Sequence, residues 1–285
     1  MKKIIFLLSS IVVIVFLVLT VILFKVKDTP KKSNDNKVSE KKDNKANDYS
    51  QFSFYKKDNL QRYIDYKKNN PSYSLEDVVT YVNLNLDKEP YTDTIKSKYL
   101  DTTYYIVNKF NYLGSDFIPN DLVLLDNKYA KSGIYLVREA KDKLEIMLND
   151  SVKENLKIRV SSAYRSYTYQ VNLYNRYVRS DGVALADTYS ARPGYSEHQS
   201  GLVVDLSRNF ESFDTFENTD EYKWLVANSY KYGFILRYPK GKEKITTYTF
   251  ESWHYRYIGV ELAKKVHDSG LTFDEYYVRY LENGD

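Results

Sequence analysis

The sequence predicts an α+β fold, a small central antiparallel sheet flanked by helices, preceded by one transmembrane helix and a disordered linker. Three observations carry this. Short apolar runs of strand character recur along the chain, helical stretches interrupt them at irregular spacing, and no βαβ rhythm joins them.

The amino terminus is the strongest local signal. Lys2 and Lys3 precede an uncharged apolar run over residues 4–24, and Lys25 and Lys27 follow it. At roughly 1.5 Å per residue this run reaches about 31 Å, enough for a hydrocarbon core of about 30 Å. Its exit, Leu23-Phe24-Lys25, lacks the small residues of a cleavage site, so an uncleaved anchor is expected. Lysines on both flanks leave the orientation open by charge. Residues 28–50 are dominated by Lys, Asp, Asn and Ser with almost no large apolar side chain, too little to offset the entropy of ordering, and read as a disordered polar linker.

From Phe52 the texture is globular. Ser74 followed by Glu76 and Asp77 reads as an N-cap with an acidic first turn before Val78, Val79 and Val82. Residues 104–107 have strand character, and residues 134–148 place apolar side chains among charges as a packed helix would. Residues 157–163 alternate as a strand, and 202–206, 234–237 and 252–258 are three further strands. A helix over 222–232 should end at Gly233, and 260–268 is helix-like. The domains expected are a cytoplasmic start and anchor (1–27), the linker (28–50), a helical and strand extension (51–130) and a catalytic domain (131–285).

Composition excludes several functions. A net charge of +4 over 285 residues leaves no electrostatic footprint for nucleic acid. The chain has no cysteine, so disulfides, thiolate catalysis and cysteine-ligated zinc are excluded and any metal site must draw on the three histidines with Asp or Glu. The 30 tyrosines are scattered and read as core and groove material.

Two histidines lie in unusual company, in Ser196-Glu-His198-Gln-Ser-Gly201-Leu-Val-Val-Asp205 and in Glu251-Ser-Trp-His254. Period-two alternation sends Leu202, Val204 and Leu206 to one face of a strand and Val203 and Asp205 to the other. A carboxylate aimed from inside an apolar strand costs several kcal/mol unless paired or metal-bound. Two readings stand open: a metal ligand, or a structural aspartate bonded to backbone amides. His254 shares a strand face with Arg256 and, alone, reads as a satisfied core histidine. Together, His198, Asp205 and His254 make an accepted ligand set for catalytic zinc, with a fourth position for water. Glu251, three residues before His254, is spaced to serve as general base, the alternative being a solvated strand-edge carboxylate. His267 lies outside both motifs and reads as a surface or core residue. No H-E-x-x-H helix is present.

At these residues the chain resembles the D-alanyl-D-alanine carboxypeptidase family of the VanY type, zinc peptidases sharing a fold with the hedgehog signalling domain. The pattern S-x-H-x-x-G-x-A-x-D is met by Ser196, His198, Gly201 and Asp205, and E-x-W-H by Glu251, Trp253 and His254. The likeness runs over about residues 55–270 and takes in the Ser162–Ser166 segment, Gln170 and Arg192-Pro-Gly-Tyr195. Val203 stands where the pattern has alanine, on the face of Asp205, where it either crowds or fills the pocket. The resemblance implies one Zn²⁺ per chain held by His198, Asp205 and His254, with Glu251 as general base and then acid, and Arg165, Gln170 and Ser196 gripping substrate. Arg165 has independent chemistry in its favour: a planar fork suited to a terminal carboxylate, against the alternative of a surface salt bridge.

The implied function is a D,D-carboxypeptidase that removes the terminal D-Ala from peptidoglycan stem pentapeptides, in wall maturation and glycopeptide resistance. Two rivals are an L,D-carboxypeptidase acting on tetrapeptides and a catalytically silent, zinc-containing wall-binding module, against which Glu251 argues. The expected setting is a monomer anchored through residues 4–24 in a Gram-positive cell membrane, its catalytic domain outside.

Overall fold

The computed structural model describes residues 48–282. The expected anchor at residues 4–24 and most of the linker lie outside the described residues. No helix among the described residues is long and apolar enough to cross a membrane. The described residues belong to one compact unit.

Two short helices open the described chain, α1 (Leu60–Asn69) and α2 (Leu75–Asn83), the second capped as expected by Ser74 accepting from the Asp77 amide. They bury Tyr63, Val78, Val79 and Val82 against Tyr277 and Val278 from the chain's end. Two small ribbons follow: β1 (Ile95–Lys96) parallel to β2 (Asn111–Tyr112), and β3 (Leu122–Leu124) antiparallel to β4 (Tyr135–Val137). Helix α3 (Arg138–Lys153) leads into β5 (Ile158–Ser162), then come helices α4 (Tyr167–Asp181) and α5 (Val183–Tyr189) and strand β6 (Val203–Arg208). Helix α6 (Asp220–Asn228), strand β7 (Phe234–Leu236), helix α7 (Glu243–Thr246), strand β8 (His254–Tyr257), and helices α8 (Val260–Ser269) and α9 (Phe273–Tyr276) follow, and a π-helical turn, Tyr277–Leu281, continues directly from α9.

The central sheet is antiparallel throughout, in the order β5-β6-β8-β7. Helix α3 lays Ala140, Leu144, Met147 and Leu148 into a core with Val160, Val204, Leu206, Tyr255 and Tyr257. Val204 and Leu206 therefore face this core while Asp205 faces away, as the alternation predicts. On β8 the same rule turns Tyr255 and Tyr257 inward and His254 and Arg256 to the opposite face. The register sets Asp205 opposite His254 and Val203 opposite Arg256.

Two expected elements are corrected. Residues 104–107 form no strand, although Tyr105, Ile106 and Val107 are buried. Their carbonyl neighbourhood is claimed by side chains: Arg256 Nη2 donates to the carbonyls of Thr103 and Tyr105, and Ser97 Oγ to that of Ile106. Residues 134–148 are not one helix, because 135–137 pair with β3 and the helix begins only at Arg138. Helices α4 and α5 went unassigned in the sequence; Ser166 caps the first by accepting from the Tyr169 amide. The helix expected over 222–232 breaks after Asn228 into a 3₁₀ turn that ends at Gly233, whose φ of 90° only glycine adopts readily.

Candidate metal centre

The first motif folds as a 3₁₀ turn, Glu197–Ser200, closed by Gly201 at φ 66°. A Cβ on Gly201 would stand 2.9 Å from Leu122 Cδ2, so both its backbone angle and its close approach to the β3-β4 ribbon require glycine. The turn sets His198 beside the start of β6. Its Nδ1 lies 2.6 Å from the Ala163 carbonyl, to which it must donate, and this leaves the Nε2 lone pair free.

His198, Asp205 and His254 are buried, and ligand atoms from all three lie within 4.8 Å of one another. His198 Nε2 is 3.4 Å from Asp205 Oδ2, and His254 Nδ1 is 3.5 Å from Asp205 Oδ1. A tetrahedral ion with bonds of about 2.0–2.2 Å needs ligand atoms roughly 3.3–3.6 Å apart, so these spacings suit zinc. Asp205 Oδ1 is buried with no hydrogen-bond donor, as an oxygen reserved for a cation would be. The residues present therefore fit the metal.

Glu251 Oε2 stands 3.2 Å from His254 Nδ1, and Glu251 lines, with the three residues of the triad, a cavity of about 310 Å³. Arg165, Gln170 and Ser196 also line this cavity, so all seven residues singled out in the sequence meet there, while His267 lies apart, exposed and stacked on Tyr230. Val203 is buried outside the cavity wall, so its extra bulk fills the sheet and does not crowd the pocket. Arg165 departs from the free fork expected of it. Its Nη2 donates to Asp205 Oδ2 at 2.6 Å and its Nε to Ser162 Oγ at 3.0 Å, which supplies Asp205 with a cationic partner from outside β6. Gln170 Nε2 donates to the Ala191 carbonyl, and its buried Oε1 has no donor.

The electrostatics follow from burial and neighbours. Burial, and then the Arg165 cation, push His198 down to about 4. Burial alone would raise Asp205, but His198 and Arg165 hold its carboxyl well below the usual range. Burial would also lower His254, yet Glu197 and Glu251 overcome it and hold the ring at about 9. Glu251 is pushed up, chiefly by burial, the direction that suits a group exchanging protons near neutrality.

Two residues at the site escaped the sequence reading. Glu197, beside His198, is fully buried, with Oε2 3.5 Å from His254 Nε2; a charged residue inside the motif was the available signal. Tyr238 packs its ring 4.7 Å from that of His254, and no local pattern marks it.

Lys109 backs the cavity wall. Buried, it donates to the carbonyls of Asp187 and Thr247 and lies over the ring of Tyr248, a cavity residue. Desolvation holds it at about 8, with Asp187 pulling up and Arg192 down. Its folded pKa lies below its unfolded value, so the unfolded chain binds more protons between them and stability rises with pH from about 8 towards 10. Lys109→Met should flatten that rise. Denaturant unfolding at both ends of the window, with zinc saturating, measures it; equal slopes in variant and wild type would contradict the assignment.

Comparison with known proteins adds to this geometry. A family model for D-alanyl-D-alanine carboxypeptidase (VanY) matches residues 133–260. The chain is 38% identical over 227 residues to the putative carboxypeptidase YodJ of Bacillus subtilis (strain 168), covering 76% of this chain and 81% of that protein. Among solved structures, the LdcB LD-carboxypeptidase superposes with a TM-score of 0.62 at 37% identity, covering 66% of this chain and 91% of that one. A vancomycin-resistance D,D-pentapeptidase VanY mutant, solved in complex with Zn(II), gives 0.53 at 32% identity, covering 61% and 98%.

Proposed function

The chain belongs to the VanY family of D-alanyl-D-alanine carboxypeptidases, zinc metallopeptidases, and from that premise we propose that it removes the terminal D-alanine of peptidoglycan stem peptides ending in D-Ala-D-Ala. The observation that carries this reading is the meeting of a buried His-Asp-His triad and a buried carboxylate, Glu251, in one cavity. His198, Asp205 and His254 are the proposed ligands of one zinc. Zinc, when bound, supplies a Lewis acid for the scissile carbonyl and lowers the pKa of water to about 7.

The chain's own residues do the rest. Glu251 takes the proton of the attacking water and returns it to the leaving amine, a role supported by its burial and its place beside His254. Gln170 Oε1, buried and without a donor, accepts a peptide N–H. Arg165 has Nε and Nη2 committed to Ser162 and Asp205, which leaves the Nη1 edge for the terminal carboxylate. Ser196 completes the grip from the cavity wall. Arg165→Lys should cost nearly as much activity as Arg165→Ala, because a point charge cannot hold Asp205, Ser162 and substrate at once. Amidation of the substrate's terminal carboxylate should likewise cripple cleavage.

Residues 4–24 are read as an anchor that holds this domain outside the cell membrane, on the strength of the uncharged run and polar tether. Amino-terminal sequencing of the membrane-derived protein should begin at Met1; a mature terminus beyond Phe24 contradicts the anchor.

A second reading, removal of D-Ala from a tetrapeptide, is favoured by the higher TM-score to the LD-carboxypeptidase. Mass spectrometry of digests of defined muropeptides by the detergent-solubilised full chain separates the two. Tetrapeptide from pentapeptide is the expected product. Tripeptide from tetrapeptide, with pentapeptide untouched, assigns the L,D reaction instead, and no loss of D-Ala from either overturns the proposal.

A further inference from the structure

Glu197 is a buried carboxylate whose two oxygens have different work. Oε1 accepts from Arg237 Nε at 2.9 Å and from Arg256 Nη1 at 3.2 Å. Both arginines are held elsewhere as well: Arg237 by Asp274 on α9, and Arg256 by the carbonyls of Tyr257, Thr103 and Tyr105. Neither guanidinium can turn away, so Glu197 is fixed in place and Oε2 is its free oxygen. That oxygen lies 3.5 Å from His254 Nε2. Both atoms are buried, and neither has another hydrogen-bond partner among the described residues. An orphaned acceptor and a ring nitrogen thus face each other just outside the range of a formed bond, which is about 2.7–3.2 Å.

We propose that Glu197 is the positioning residue of the metal centre: its Oε2 is the acceptor for the Nε2–H of His254 and so fixes the tautomer that presents Nδ1 to the ion. The inference rests on His254 being a ligand. Nδ1 is the nitrogen turned towards Asp205 Oδ1 and Glu251 Oε2, whereas Nε2 points the other way, into the Glu197 network. His198 is set in the mirror sense, its Nδ1 on a backbone carbonyl and its Nε2 turned to Asp205. Each imidazole thus has one nitrogen tied into the protein and one left for metal, and an acceptor of this kind both orients the ring and raises its basicity as a ligand.

The alternative is that Glu197 only neutralises two buried arginines. The two roles separate by zinc competition against a chromophoric chelator and by nitrogen-15 histidine NMR of the zinc-loaded chain. Glu197→Gln should bind zinc about 10–100-fold more weakly, whereas Asp274→Asn, which disturbs the same network beyond Glu197, should lose stability with zinc affinity near wild type. Wild-type affinity in a folded Glu197→Gln protein, or an equal loss in both variants, would overturn the proposal. Should Glu197→Gln fail to fold, the wild-type spectrum decides: Nδ1 of His254 shifted by metal and Nε2 bearing a proton slow to exchange with water is the expected result. Metal on Nε2 overturns the role of Glu197 while leaving His254 a ligand. No metal shift at either nitrogen removes His254 from the ligand set and this inference with it.

Discussion

Glu251→Gln is expected to lower turnover by at least about 10²-fold while the purified protein keeps its zinc. The amide keeps the shape of the buried side chain but cannot take a proton, so the loss reads the proton-transfer role alone. The two readouts are needed together because Glu251 Oε2 lies only 3.2 Å from His254 Nδ1, close enough that the carboxylate could itself be a ligand. Parallel measurement of turnover and metal content settles which. Lost activity with unchanged zinc assigns the base; lost activity with lost zinc makes Glu251 a ligand; retained activity demands another base.

The second large effect concerns the ligands. His198→Ala and Asp205→Ala should each weaken zinc binding by at least about 10²-fold, since one of three protein ligands carries on the order of 3 kcal/mol of an apparent binding energy of about 10–16 kcal/mol. Asp205→Ala should also reduce stability more than His198→Ala does. It strips Arg165 of its ion pair, leaving a partly buried guanidinium with one fewer partner. Chelator competition gives the affinities and urea unfolding the stabilities; full zinc occupancy in either variant would remove that residue from the ligand set.

Much of this site was legible because strand alternation is local. Knowing that Val204 and Leu206 are apolar is enough to turn Asp205 to the other face, and the same rule applied to Tyr255 and Tyr257 turns out His254. The order of the sheet, which sets these two opposite each other, is a property of pairing between distant segments and was not readable. Partnerships across the fold were equally hidden. Asp205 has no cation within residues 202–206, yet Arg165 reaches it from the loop after β5. Residues 104–107 have the composition of a strand, but their place is decided by Arg256, some 150 positions further along the chain. Residues 134–148 misled because β4 and α3 abut at Arg138 with no breaker between them, so one apolar pattern runs through both. Tyrosines obscured α4, where Tyr167, Tyr169, Tyr174 and Tyr177 suit a strand as well as a helix by composition. Glu197 was legible as a residue, next to His198, but not as a partner of His254.

The most direct test of the metal centre is an anomalous difference map at the zinc edge from crystals of the zinc-loaded protein. A single strong peak within bonding distance of His198 Nε2, an Asp205 carboxylate oxygen and His254 Nδ1 is expected. A peak elsewhere, or none at this site in crystals shown to contain zinc, would contradict the assignment of these three residues.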